Sequence, residues 1–287
     1  MREVYLDNNA TTPVDEEVLE TMIETLRDNY GNPSSGHRRG ARARKALEAA
    51  REKVAALLMA TPAEILFCSG GTEANNAAIL SAVQQAGKRR RLVTTPVEHP
   101  AVLNPMKKLA DAGYDVREIP VLPSGELDLA AAEELITPET ALVSVMAANN
   151  ETGVLHPWAK VAQLGAAQGA FVHVDAVQAV AKVPIDLRRV PVDLLTISGH
   201  KLHSPKGIGA LYVKKGRKLT PLLLGGHQEK GRRGGTENVP AAAALGKSCE
   251  LLMVCDHRRG GARDGSSRAP RGHPERQQNA ARRRAGS

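Results

Sequence analysis

Lys201 lies in the run Ser198-Gly199-His200-Lys201-Leu202-His203-Ser204-Pro205-Lys206-Gly207, directly after the apolar stretch 194–197. A lysine at a strand end, flanked by hydroxyl, imidazole and glycine, can be held out of bulk water and aimed at an aldehyde, which suits it to Schiff-base chemistry. Alone, such a lysine is more often a solvated loop residue. Its upstream company changes the balance. Asp175 closes the strand-forming run Ala170-Phe171-Val172-His173-Val174, and in an open α/β sheet an aspartate there faces the crevice beyond the strand ends. An aspartate for a pyridinium nitrogen and a lysine for a carbonyl carbon are the two protein groups that pyridoxal phosphate requires. By itself Asp175 reads equally well as a helix N-cap.

A phosphate needs anion donors. Ser69-Gly70-Gly71-Thr72-Glu73-Ala74-Asn75-Asn76 follows the apolar Ile65-Leu66-Phe67 and opens a helical run. Glycines permit close backbone approach, a helix start offers free N–H groups with a favourable dipole, and Thr72 adds a hydroxyl. Such a turn also serves plain packing. Neither a GxxxxGK[ST] run nor a GxGxxG after a strand is present.

The elements that must carry these groups alternate along the chain. Helical periodicity predicts helices over 15–27, 39–58, 72–85, 100–111, 129–135, 158–168 and 239–254, with strands at 65–68, 92–95, 116–120, 141–146, 171–174, 194–197 and 208–213. That alternation predicts an α/β fold, a mostly parallel seven-stranded sheet between helices. Ser69, Glu98, Asn149, Asp175 and Ser198 then follow successive strands and belong at one sheet edge.

Together these segments resemble the pyridoxal-phosphate-dependent cysteine desulfurases of fold type I, within the class V aminotransferase group. Tyr5-Leu6-Asp7-Asn8-Asn9-Ala10-Thr11-Thr12-Pro13 is similar to their N-terminal signature. Gly31-Asn32-Pro33-Ser34-Ser35, Val97-Glu98-His99-Pro100, Asn149-Asn150-Glu151-Thr152-Gly153 and Gly234-Gly235-Thr236-Glu237-Asn238 follow in family order. The resemblance covers roughly 3–254. It implies that Lys201 carries the cofactor and shuttles protons, that His99 stacks on its ring, and that Asp175 binds its nitrogen. Asn150 and Gln178 would lie near the phenolic oxygen and the substrate. Gly71, Thr72, Ser198 and His200 would hold the phosphate, and Thr236 would reach the phosphate of the neighbouring subunit in a homodimer. The implied reaction turns L-cysteine into L-alanine and passes the sulfur on as a persulfide, in intact relatives to an iron-sulfur scaffold or another sulfur acceptor. A selenocysteine lyase and a non-catalytic, cofactor-binding or dimerising remnant are the alternatives.

The family's acceptor cysteine and its substrate-carboxylate arginine would both fall past residue 287, so the resemblance implies a large domain with the small C-terminal domain largely missing and sulfur transfer impaired. Cys68, Cys249 and Cys255 read as small buried hydrophobes, and no metal-ligand spacing is present. The expected organisation is an N-terminal arm over 1–14, the cofactor-binding domain over 15–255, and a disordered Arg/Gly-rich tail over 256–287. That tail holds nine arginines against three acidic residues, six of the eight net positive charges of the 287-residue chain. It has no Leu, Ile, Val or aromatic residue and so nothing to offset ordering entropy; its composition resembles a shift of reading frame. Aromatics to stack on bases are scarce, which argues against specific nucleic-acid binding. Lys88-Arg89-Arg90-Arg91 reads as a solvated connection. No apolar leader or membrane-length run is visible, and the few cysteines suit a reducing cytoplasm.

Overall fold

The computed structural model describes residues 4–260, with side chains described to 254. Its sheet is built from β1 (Ile65–Cys68), β2 (Arg91–Thr94), β3 (Asp115–Glu118), β4 (Thr140–Met146), β5 (Phe171–Asp175), β6 (Leu194–Ser198) and β7 (Gly209–Val213). The spatial order is β1-β7-β6-β5-β4-β2-β3. Only β7 runs against its neighbours, pairing antiparallel with both β1 and β6. β4, β5 and β6 are buried along their whole length, as expected of parallel strands covered on both faces.

The helices are α1 (Glu16–Asp28), α2 (Arg38–Leu57), α3 (Gly71–Gln85), α4 (Pro100–Asp111), α5 (Leu129–Leu135), α6 (Trp158–Ala167) and α7 (Val239–Gly260). Two apolar cores lie on opposite faces of the sheet. Val143, Val172, Val174, Leu195 and Ile197 join one with α2, α6 and α7, while Leu142, Phe171 and Leu194 join the other with α3 and α4. Alternate residues of the same strand supply the two cores, the consequence of the period-2 pleat. α7 continues to Gly260, past the composition change at 256, because Asp256-His257-Arg258-Arg259 has no intrinsic bar to helix. The remainder of the expected tail, 261–287, lies outside the described residues, as does the side chain of Cys255.

The basic run 88–91 is a solvated connection only in part: Lys88 and Arg90 are exposed, while Arg89 and Arg91 are half-buried. Arg89 donates to the carbonyls of Thr140 (3.0 Å) and Gly169 (2.6 Å), Arg90 lies over the Tyr114 ring at 4.7 Å, and Arg91 pairs with Asp115 at 2.9 Å. Two carbonyls at the N-terminal edge of the sheet draw in the Arg89 guanidinium, whose fork of donors meets both at once.

Chain order reverses between β2 and β4, so the connections after them leave in opposite directions and open a crevice at their C-terminal ends. Close packing keeps one rim of that crevice narrow. A Cβ on Gly209 would come within 2.7 Å of Gly70 Cα and of the Ile197 carbonyl. Gly209→Ala should therefore lower stability by about 1–3 kcal/mol and displace the Gly70 turn, read as a lower urea midpoint together with altered amide exchange at residues 69–72.

Candidate active site

The ends of β2, β4, β5 and β6 each bring a polar group to the crevice, and β1 brings a glycine turn. β1 leads into Gly70, whose backbone φ of 152° lies in a region that side-chain-bearing residues rarely adopt. α3 starts immediately afterwards, leaving the N–H groups of its first turn directed outward. Gly71 itself approaches β5 and β6 so closely that a Cβ would meet Val177 at 3.1 Å and Ser198 at 3.5 Å. Glu73 secures the turn: it accepts from Ser69 N (2.9 Å) and pairs with Arg233 at 2.9 Å.

β2 leads to His99, the N-cap of α4, whose Nδ1 accepts from Ala101 N at 3.0 Å while Pro100 occupies the first helical position. β4 leads to Asn149, which ties its loop together by accepting from the amides of Glu151 and Thr152 (both 2.9 Å) and donating to the Val97 carbonyl at 3.2 Å. Asn150 is thereby turned toward the crevice. β5 ends at Asp175 and β6 at Ser198, followed by a 3-10 turn over Gly199–Lys201.

The result is a cavity of about 530 Å³ bordered by Gly71, Thr72, His99, Asn150, Asp175, Gln178, Ser198, His200 and Lys201. Among the residues expected at the site, Thr236 alone lies elsewhere, exposed beside a smaller cleft that also borders Cys68 and Arg233. Its expected contact is with another copy of the chain, so a place outside the cavity of its own chain is compatible with that expectation.

Asp175 is 5% exposed. Asn75 donates to its Oδ2 at 2.7 Å and the Val177 amide to its Oδ1 at 3.0 Å. Burial pushes its carboxyl above the ordinary range, opposed by those two donors and by the nearby His99 and Lys201. Burial lowers the Lys201 ammonium, against the pull of Asp7, Asp175 and Glu151. His200 is also lowered, first by burial and then by Lys201, Lys206 and His99. A row of neutral groups supports β5 one pleat step back: His173 lies between Ser144 Oγ (2.8 Å) and Thr196 Oγ1 (3.1 Å), with burial depressing its imidazole to about 3.

Sequence reasoning missed the part played by the N-terminal arm. The Lys201 ammonium donates to the carbonyls of Asn9 and Ala10, the latter at 2.9 Å, and Gln178 Nε2 donates to the Asn9 carbonyl at 2.9 Å. Thr12 binds the His200 carbonyl through both its amide and its hydroxyl (2.9 Å each), and Thr11 Oγ1 meets His200 Nδ1 at 3.2 Å. The polar cluster Asp7-Asn8-Asn9 ahead of two threonines was the available signal. Asn75, a polar residue on the apolar face of α3, was the signal for the second donor to Asp175.

The remaining chemistry is negative for thiols. Burial pushes Cys68 and Cys249 each up to about 12, so neither is a thiolate near neutral pH. Among the described residues no cluster of His, Cys, Asp or Glu is arranged to hold a metal, and no helix is long and apolar enough to cross a membrane.

The family model for class-V aminotransferases matches residues 4–263. The chain is 53% identical over 254 residues to a cysteine desulfurase of Trichormus azollae, covering 88% of this chain and 64% of that one. It is 50% identical over 259 residues to the cysteine desulfurase NifS of Azotobacter vinelandii, covering 90% and 64%. The chain thus spans about 64% of the length of these curated relatives. Among solved structures, a NifS-like protein superposes with a TM-score of 0.87 at 42% identity, covering 91% of this chain and 72% of that one. A structure described as SspA in complex with cysteine gives 0.83 at 39%, covering 86% and 72%. The architecture is that of the fold type I large domain.

Replacing Asn75 by Leu removes one of the donors to a buried carboxylate. The expected loss of stability is about 1.5–3 kcal/mol, measured by urea unfolding at neutral pH and diminishing as pH falls far enough to protonate Asp175.

Proposed function

We propose that this chain, which belongs to the class-V aminotransferase family, holds pyridoxal phosphate between Lys201 and Asp175 and acts on L-cysteine, releasing L-alanine while the sulfur passes to an acceptor thiol. The observation that carries this reading is that an amine lowered by burial and a buried carboxylate with donors on both oxygens face one cavity. The fit extends to the rest of the group. The backbone of Gly71, too close to β5 and β6 for a larger residue, and the hydroxyls of Thr72 and Ser198 suit a phosphate at the N-terminus of α3. Ser198 is 4% exposed and borders the same cavity.

In this reading Asp175 binds the ring nitrogen, His99 covers the ring face, and Asn150 with Gln178 lies near the phenolic oxygen and the substrate. His200 completes the phosphate site, and Thr236 reaches toward the phosphate held by a second copy in a homodimer. Bound there, the cofactor supplies an electron sink for the pair left at the substrate Cα.

The chain's own residues handle the protons. Lys201 Nζ, released from its place beside Asn9 and Ala10, takes the Cα proton; its lowered pKa increases the neutral, basic fraction near working pH. His200 and Thr11 fix the turn that carries this lysine. In the transfer step an acceptor thiolate bonds to the substrate sulfur as the Cβ–S bond breaks; Cβ gains a proton, and Lys201 returns the proton to Cα to complete alanine. Cys68 and Cys249 are too buried and too weakly acidic for that step, so the acceptor comes from outside the described residues. The reducing cytoplasm suits such chemistry.

The inert thiols also favour a second reading, a cofactor-binding scaffold without turnover. One experiment separates them: load the purified full chain with pyridoxal phosphate, record visible absorbance and borohydride-fixable cofactor, and assay alanine and sulfide from L-cysteine with an added small thiol. Turnover that falls by about 10²–10⁴-fold in Lys201→Ala, with loss of the fixable adduct, supports the enzyme. Bound cofactor without turnover supports the scaffold, and absence of binding at Lys201 sinks both.

A further inference from the structure

Glu98 lies one layer behind the cavity wall. It is 4% exposed, and its neighbours Met146 and Asp175 line the cavity while it does not. Its two oxygens are treated very differently. Oε1 accepts from the Met146 amide at 2.7 Å and from Thr95 Oγ1 at 2.9 Å. Oε2 is buried with no hydrogen-bond partner.

An ionised carboxylate spreads its charge over both oxygens, and a buried one lacking donors at one oxygen is strongly penalised. The neutral acid suits this asymmetry better, with Oε1 as the accepting carbonyl and Oε2 as a hydroxyl. A second carboxyl stands close by, since Met146 and Asp175 are register partners of β4 and β5. Two such groups in one desolvated region do not both ionise readily. Asp175 has a donor on each oxygen, and the Lys201 ammonium after β6 acts on it across the cavity, with the His99 imidazole at the start of α4 nearby. Glu98 has only the uncharged Thr95 and Met146 amide, and the charged group that acts on it is Asp175 itself.

We propose that Glu98 is a positioning residue kept as the neutral acid, which clamps the end of β4 through Met146 and leaves the negative charge to Asp175. The inference rests on the reading of Asp175 as the partner of the ring nitrogen and extends it to the group that keeps that charge in place. Burial, and after it the charge of Asp175, pushes the Glu98 carboxyl up to about 8. Burial raises Asp175 as well, but its two donors and the Lys201 ammonium favour ionisation there, so the proton resides on Glu98. The folded value lies above the ordinary 4.5, so the folded chain binds this proton more tightly than the unfolded chain. Its contribution to stability is complete below about 4.5, declines as pH rises toward about 8, and is constant beyond.

Infrared titration of the full chain without cofactor tests the protonation. The expected result is a protonated-carboxyl band at neutral pH that is lost with a midpoint near 8 and is missing in Glu98→Gln. A band lost already in the ordinary carboxylate range, or unaffected by Glu98→Gln, overturns the proposal. Thermal midpoints should show wild type losing ground to Glu98→Gln across the same window; parallel curves count against it. For the clamp, Glu98→Leu should weaken cofactor binding about tenfold while Glu98→Gln stays near wild type, and equal binding by the two variants refutes it. If wild type itself binds no cofactor, the reading of Asp175 fails, whereas the infrared titration still decides the state of Glu98.

Discussion

A carboxylate held at the end of a central strand, almost wholly out of water, is expensive unless donors replace its hydration. Asp175 meets that condition from three directions: Asn75 from α3, the amide of Val177 from its own turn, and the fields of His99 and Lys201 across the cavity. Each of those groups comes from a different connection, so the registration of β2, β4, β5 and β6 is a requirement of the charge as much as of the apolar cores. The neutral ladder Ser144, His173 and Thr196 serves the same registration without adding a second charge.

The lysine depends on a different part of the chain. Its turn is held from outside by the N-terminal arm, with Thr11 and Thr12 gripping His200 and the carbonyls of Asn9 and Ala10 receiving the ammonium. The same Asn9 carbonyl accepts from Gln178. A segment with little secondary structure thus joins the end of β6 to the turn after β5, and anything that peels the arm away removes the lysine's partners along with it.

Further out, two Arg–Glu pairs brace the loop that carries Thr236. Arg51 meets Glu229 at 2.8 Å with both side chains buried, and Arg233 meets Glu73 at 2.9 Å. The second pair is notable for its location, because Glu73 also secures Ser69 in the turn before α3. The turn before α3 and the loop that carries Thr236 are therefore mechanically connected through one carboxylate.

Periodicity alone was enough for the alternating elements, because apolar spacing is a local property: the strand over 65–68 and the helices over 100–111 and 129–135 emerged with the expected bounds. That Lys201, Asp175 and the Gly70-Gly71 turn would meet at one crevice was legible for a related reason, since each stands at a strand end. Long-range pairing was not legible. Nothing local in Asn9, Asn75 or Arg89 says which carbonyl or carboxylate each will meet, and Arg89 within the basic run 88–91 was misread because its acceptors lie on β4 and beyond α6. Glu98 shows the division most clearly: its type and place were evident in the sequence, but only tertiary structure, by removing water and supplying donors to one oxygen and not the other, decided which carboxyl keeps its proton.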